Sequence, residues 1–185
     1  MAVDRKWLES QLNTATPCEI RYERGGMICE TEAFVVWLGD DFVTLARVEH
    51  SSVINGWQTI RTECIRGLGT LGEVDREFIR RAMQVNGVEL PLPPPERSST
   101  FLEFLKTISN QFEIVVMNDN PELDYDSAAG ANLSADEDMV LMRAMSRSGF
   151  WEVDPHSIQT KYVTDVLYGS IYEDTLGRMA EVENT

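Results

Sequence analysis

Two stretches hold the residue types of a nucleophile and its base: His50-Ser51-Ser52 and Asp154-Pro155-His156-Ser157. A hydroxyl becomes a useful nucleophile when an imidazole takes its proton and a carboxylate orients that imidazole. Such groups usually converge from distant parts of a chain, whereas here they are immediate neighbours. The two histidines also lack companions at metal-ligand spacing. Both stretches read as polar loops.

The acidic runs raise a second chemistry, calcium binding: Asp40-Asp41, Asp119/Glu122/Asp124/Asp126 and Asp136-Glu137-Asp138. The run from Asn118 to Asp126 lacks the central glycine and terminal glutamate of a twelve-residue calcium loop. It reads as a solvated acidic loop. Gly67-Leu68-Gly69-Thr70-Leu71-Gly72 spells a GxGxxG phosphate cradle between a strand and a helix. A cradle needs a parallel βαβ unit around it, and the flanking pattern is a run of short strands. The glycines are therefore expected to form a flexible connector. No catalytic, cofactor-binding or metal-ligating residue emerges, and the chain is expected not to be an enzyme.

Composition narrows the partners. The 185 residues carry a net charge of −15. Residues 1–95 hold 14 acidic and 10 basic side chains, a balance of −4; residues 96–185 hold 17 and 6, a balance of −11. Such a surface repels phosphate backbones, so nucleic acid and anionic membranes are disfavoured as partners. Arg76, Arg80 and Arg81 cluster, as on a solvated helix face. Cys18, Cys29 and Cys64 are odd in number, form no CxxC pair and sit in apolar runs, where cysteine behaves as a small hydrophobe. With no signal-peptide pattern and no membrane-spanning run, a soluble, reducing, cytoplasmic setting is expected.

The elements follow from periodicity. Val3, Trp7, Leu8 and Leu12 predict a helix that ends at Thr16-Pro17. Cys18–Arg24 alternates as a strand, Gly25-Gly26 turns the chain, and Met27–Leu38 is a long strand with a bulge expected at Glu30-Thr31-Glu32. Phe42–Glu49 follows the turn Gly39-Asp40-Asp41. His50–Asn55 reads as a loop, Asn55-Gly56 as a tight turn, and Trp57–Thr62 and Cys64–Arg66 as short strands. Val74, Phe78, Ile79, Ala82 and Met83 mark a helix stopped by Gly87. Leu90-Pro91-Leu92-Pro93-Pro94-Pro95-Glu96 is a stiff connector. Beyond it, Thr100 and Glu103 spell a capping box before Phe101, Phe104, Leu105 and Ile108. Strands are predicted at Phe112–Met117, Gly130–Leu133, Met139–Met145, Ile158–Tyr162 and Val163–Leu167, and a last helix contains Ile171, Leu176, Met179 and Ala180.

The two halves repeat the order helix, five strands, helix. Leu45 and Arg47 match Leu141 and Arg143 at an offset of 96; Ile60-Arg61-Thr62 matches Ile158-Gln159-Thr160, and Ile65 matches Val163, at 98; Val74 and Ile79 match Ile171 and Leu176 at 97. An internal repeat governs the fold assignment. The expected fold is mainly β with flanking helices (α+β): two small five-stranded barrels in residues 1–89 and 98–185, joined by a Pro-rich linker, 90–97.

Residues Cys18–Leu68 resemble an Sm-like small barrel, similar to uncharacterised bacterial proteins built on that fold. Val36-Trp37-Leu38-Gly39-Asp40-Asp41-Phe42-Val43-Thr44-Leu45 is similar to the family's first signature, and Ile65-Arg66-Gly67 to its second. The second copy, Phe112–Leu167, has Val163-Thr164-Asp165 in place of the second signature. In RNA-binding members an aspartate, an asparagine and the later arginine clasp a base. Here Thr44 stands where that asparagine would fall, and single-stranded RNA needs a positive groove with stacking platforms. RNA binding is therefore not expected.

What the resemblance implies is an assembly or protein-interaction module, because small barrels carry edges that pair with another copy. The expected partner is a protein or the chain itself, with a homo-oligomer allowed and no cofactor implied. Trp57 and Trp151, which flank loops, and the acidic turn Asp136, Glu137, Asp138 form the expected interaction surface. The alternative is an acidic inhibitor or immunity-type protein that covers a basic nuclease or toxin, steered there by the charge of the second half.

Overall fold

The computed structural model describes residues 4–14, 16–49, 54–89, 92–119, 127–146 and 148–183, without the side chains of Asn13, Asp119, Val182 and Glu183. Val3, His50-Ser51-Ser52, Leu90-Pro91 and the acidic segment 120–126 lie outside the described residues, and with them the readings made there.

The chain runs α1 (Arg5–Thr14), β1 (Pro17–Arg24), β2 (Met27–Leu38), β3 (Phe42–Val48), β4 (Ile54–Arg61), β5 (Ile65–Thr70), α2 (Glu73–Val85), α3 (Phe101–Ile108), β6 (Val115–Asp119), β7 (Ser127–Ala135), β8 (Met139–Met145), β9 (His156–Gln159), β10 (Val163–Tyr168) and α4 (Ile171–Glu183). A 3-10 turn joins β4 to β5 at Thr62–Cys64, and another joins β9 to β10 at Thr160–Tyr162. The strands form one antiparallel sheet in the order β5-β1-β2-β3-β4-β10-β6-β7-β8-β9. Each half contributes its fifth, first, second, third and fourth strand in that order. The fourth strand of the first half pairs with the fifth of the second. The sheet is not closed on itself, and its ends are β5 and β9.

The duplication extends to individual backbone pairs. Cys18↔Ala33 between β1 and β2 becomes Val115↔Gly130 between β6 and β7, each residue 97 further on. Between β2 and β3 the register slips after Val35↔Leu45 and resumes at Trp37↔Thr44; between β7 and β8 it resumes at Ser134↔Leu141, again 97 on. Cys18↔Thr70 becomes Val115↔Tyr168, with the fifth strand offset by 98, and both pairings carry an irregularity near their far ends. The offset of 96 read for the third strand is corrected to 97, which aligns Leu45 with Met142. The bulge expected at Glu30-Thr31-Glu32 is displaced to Val36. Glu30 to Glu32 pair in continuous register with Arg21 to Glu19.

Apolar residues cover both faces of the sheet. In β2, Ala33 and Val35 join a cluster with Leu8 of α1, Ile20, Val43, Leu45, Ile60 and Ile65. Phe34 and Val36 point to the other face and meet Ile79 and Met83 of α2. A strand buried on both faces has no polar alternation, which explains the unbroken Phe34–Val36 run. The second half repeats this: α3 packs on Val115, Met117 and Leu133, while Leu176 and Ala180 of α4 pack on Ile114, Val116, Ala129 and Ala131. The capping box read at Thr100 and Glu103 is present, with Glu103 N donating to Thr100 Oγ1 at 3.2 Å.

Two glycine readings are corrected. Gly67 and Gly69 lie inside β5, paired with Arg21 and Glu19, so that segment is strand rather than connector. Asn55 and Gly56 lie inside β4 rather than in a turn. Gly56 takes φ +76°, and a Cβ there would come within 2.8 Å of Ser170 N and Tyr168 O. Only a residue without a side chain lets β4 and β10 meet that closely.

Candidate interaction surface: the internal seam and the two open edges

The seam between β4 and β10 is where one half recognises the other, and each contact traces to a residue in a repeated position. The register runs Ile60↔Asp165, Thr59↔Val166, Gln58↔Leu167 and Trp57↔Tyr168. Arg61, at the end of β4, reaches across: its Nε donates to Val163 O at 2.8 Å and its Nη2 to Thr160 O at 2.9 Å. Its guanidinium also lies 4.4 Å from the Phe101 ring centroid. The planar fork of arginine is suited to two carbonyls and an aromatic face together.

Beside it lies a buried polar group. Asp165 has no exposed surface. Its Oδ2 accepts from Gln58 Nε2 at 2.8 Å and Asn118 Nδ2 at 3.0 Å. Thr164 Oγ1 sits 3.0 Å from Asp165 Oδ1 and 3.1 Å from Asn118 O. A hydroxyl has one proton, so it cannot donate to both. A proton on Asp165 Oδ1 satisfies the set: the acid donates to Thr164, and Thr164 donates to the Asn118 carbonyl. Burial pushes the Asp165 carboxyl upward from its ordinary 3.8, against the pull of Gln58, Arg24, Thr164 and Asn118. Geometry and desolvation both favour the protonated acid, and the nearby Arg24 charge opposes it. Gln58 Nε2 also donates to Tyr22 Oη at 2.8 Å, tying this network to the first half's core.

Two more ties complete the seam. Thr44, Thr59 and Tyr168 hydroxyls form a buried chain with 3.0 Å spacings. Asn55 Oδ1 accepts from Ile171 N at 3.0 Å, so a residue of the first half caps α4. The acidic turn Gly39-Asp40-Asp41 holds the start of α3: Asp41 Oδ1 accepts from Phe101 N at 2.8 Å and Asp40 N donates to Ser99 O at 2.7 Å. Trp37 Nε1 donates to Ser98 O at 2.8 Å, and Phe42 packs with Phe101 and Phe104.

The residues expected to form the interaction surface separate. Trp57 is in β4, half-buried, and packs against two apolar clusters that meet on one face of the sheet at the seam, beside its paired neighbours Ala46 and Tyr168. Trp151 is half-buried on the α4 side, bridged to Met145, with the Arg143 guanidinium 4.2 Å from its ring centroid. The two are not equivalent: 98 residues after Trp57 stands Pro155. Asp136, Glu137 and Asp138 are exposed and equivalent to Gly39-Asp40-Asp41. Asp136 Oδ1 accepts from Met139 N and Asp138 N, which holds its carboxyl below the usual range. The seam residues Arg61, Gln58 and Asp165 escaped sequence reading. Their only signal was polar side chains interrupting apolar alternation.

Other residues read for chemistry are engaged structurally. Arg66 lies within β5, and its Nε donates to Glu23 Oε2 at 2.7 Å. His156 and Ser157 belong to β9 rather than a loop. Burial pushes the Cys18 thiol up to about 12 and that of Cys64 to about 11, the state of inert packing sulfurs. Among the described residues no His, Cys, Asp and Glu cluster is arranged to hold a metal.

Counterparts of the seam face outward at β9, which has one neighbour in the sheet. By position, Asp138 corresponds to Asp41, Leu141 to Thr44, His156 to Gln58, Gln159 to Arg61 and Val153 to Asn55. Leu141 is 44 % exposed and Val153 is 98 % exposed. Ser134, Met139 and Pro155 stand where Trp37, Phe42 and Trp57 fill the seam, so this face is less apolar. The β5 edge offers Gly67 and Thr70 where β10 has Asp165 and Tyr168.

No family model matches the chain, and neither a curated protein nor a solved structure matches it. No helix among the described residues is long and apolar enough to cross a membrane.

Proposed function

We propose that the chain is a non-enzymatic assembly module made of two tandem Sm-like units, each a small five-stranded barrel. The observation that supports this is the strand order: each half reads fifth, first, second, third, fourth, and the halves join fourth strand to fifth. A pairing that works once inside the chain leaves the same two kinds of edge at its ends. An unpaired strand edge is a template for another strand. Its partner is the β5 edge of a second copy set against β9, head to tail. Such a heterologous contact extends or closes into a ring according to the rotation it imposes.

The outer contact is weaker than the seam, because Ser134, Met139, Pro155 and Gln159 replace the aromatic and arginine anchors. Reversible assembly at micromolar concentration or above follows. Light scattering over a concentration series tests it: masses above one chain are expected, returning towards one chain in Leu141→Asp. A strict monomer at every concentration counts against it.

The acidic inhibitor remains a second reading, supported by the −11 balance of residues 96–185 and the exposed Asp136-Glu137-Asp138 turn. A complex with a basic protein that dissolves steeply with salt would favour it.

A further inference from the structure

The α2 helix carries a second apolar stripe that the fold does not use. Ile79 and Met83 face the sheet. On the opposite side Val74, Phe78 and Val85 are 81 %, 62 % and 86 % exposed. With Arg81 they occupy positions 74, 78, 81 and 85. Steps of four, three and four keep these residues on one side of a helix.

That spacing is the same read from either end. If a second α2 is laid antiparallel on the first, Val74 meets Val85 of the second copy, and Val85 meets its Val74. In the middle Phe78 meets the second copy's Arg81, twice by symmetry, as a guanidinium on an aromatic ring. The charges suit the same orientation. Glu73, Asp75 and Glu77 occupy the first half of the helix, alongside one half-buried cation, Arg76, off the exposed stripe, and Arg80 and Arg81 occupy the second half. Reversal sets Glu77 beside Arg80 and Arg81 of the other copy. Within one helix Glu77 already holds Arg81 at 2.8 Å and Arg80 at 3.6 Å, which keeps both guanidinium groups alongside the stripe. Antiparallel helix dipoles add to the preference.

We propose that α2 pairs antiparallel with α2 of a second copy, giving an isologous two-fold contact independent of the sheet edges. One helix face buries less than the roughly 1,200 Å² of a standard stable interface, so the contact is a weak one that adds to another.

Disulfide trapping of the full chain tests it. Val74→Cys with Val85→Cys is expected to give a covalent dimer under mild oxidation, while Val74→Cys alone gives little more than the parent chain. Adding Phe78→Lys should cut the dimer at least about tenfold, because it sets an ammonium against the second copy's Arg81 guanidinium. Equal trapping by the single and double variants means another orientation and overturns the proposal, as does no trapping at all. Mixing Glu73→Lys/Glu77→Lys chains with Arg80→Glu/Arg81→Glu chains gives an independent check by native mass spectrometry. Mixed dimers should exceed either self-dimer, and a statistical mixture contradicts the charge pairing. Leu141→Asp leaves this contact unchanged, which separates its failure from failure of edge pairing.

Discussion

Asp165 shows how one buried group can set the pH response of the seam. Its folded-state carboxyl is raised above 3.8, so the folded chain holds its proton more tightly than the unfolded chain. Stability from this group is therefore fully present below the unfolded value and falls as pH rises through the folded one. The groups close enough to modulate it are Tyr22, Arg24 and Cys64. Asn matches the neutral acid atom for atom: its carbonyl can accept from Gln58 and Asn118, and its amide can donate to Thr164. Urea unfolding of Asp165→Asn should give stability close to the parent chain in mild acid and a growing advantage as pH rises. Asp165→Ala should lose about 1–3 kcal/mol, because Gln58 and Asn118 are left with buried, unmatched donors. Arg61 makes a similar test of geometry. Arg61→Lys keeps the charge but loses the fork to Thr160 O and Val163 O, and should be destabilised by about 1.5–3 kcal/mol, close to Arg61→Ala. Near-complete rescue by lysine would show that charge alone matters there.

Among the elements, most were legible because their signals were local. Met27–Leu38 and Met139–Met145 have the bounds that alternation and turns predict, and the capping box stands where Thr100 and Glu103 placed it. Thr100→Ala should cost about 1 kcal/mol in unfolding experiments. The two glycine misreadings share a cause: a glycine reads as punctuation where the partner strand needs it. Gly67 and Gly69 look like a connector until Arg21 and Glu19 are seen opposite them, and Asn55-Gly56 looks like a hairpin turn until β10 is placed alongside. Gly56→Ala is the matching test. Positive φ and a clash with Ser170 N and Tyr168 O should loosen the seam, seen as faster amide exchange in β4 and β10 with β1 to β3 little changed.

At the scale of the whole molecule, the repeat was legible in the order of elements and in an offset near 97, while the joining of the halves was not. Trp57 and Trp151 both flank loops in the sequence reading, yet the register sets Pro155, not Trp151, in the place of Trp57 in the repeat. Nothing local marks β4 and β10 as neighbours, since their contacts lie about a hundred residues apart in sequence. That join turns two similar halves into one sheet and leaves β5 and β9 as its ends. The proposal that these ends pair between copies is tested most directly by amide hydrogen exchange in β5 and β9 across a concentration series. It predicts that protection of Ile65–Thr70 and His156–Gln159 rises with concentration, and that this rise disappears in Leu141→Asp. Exchange at both edges that is the same at every concentration would contradict it.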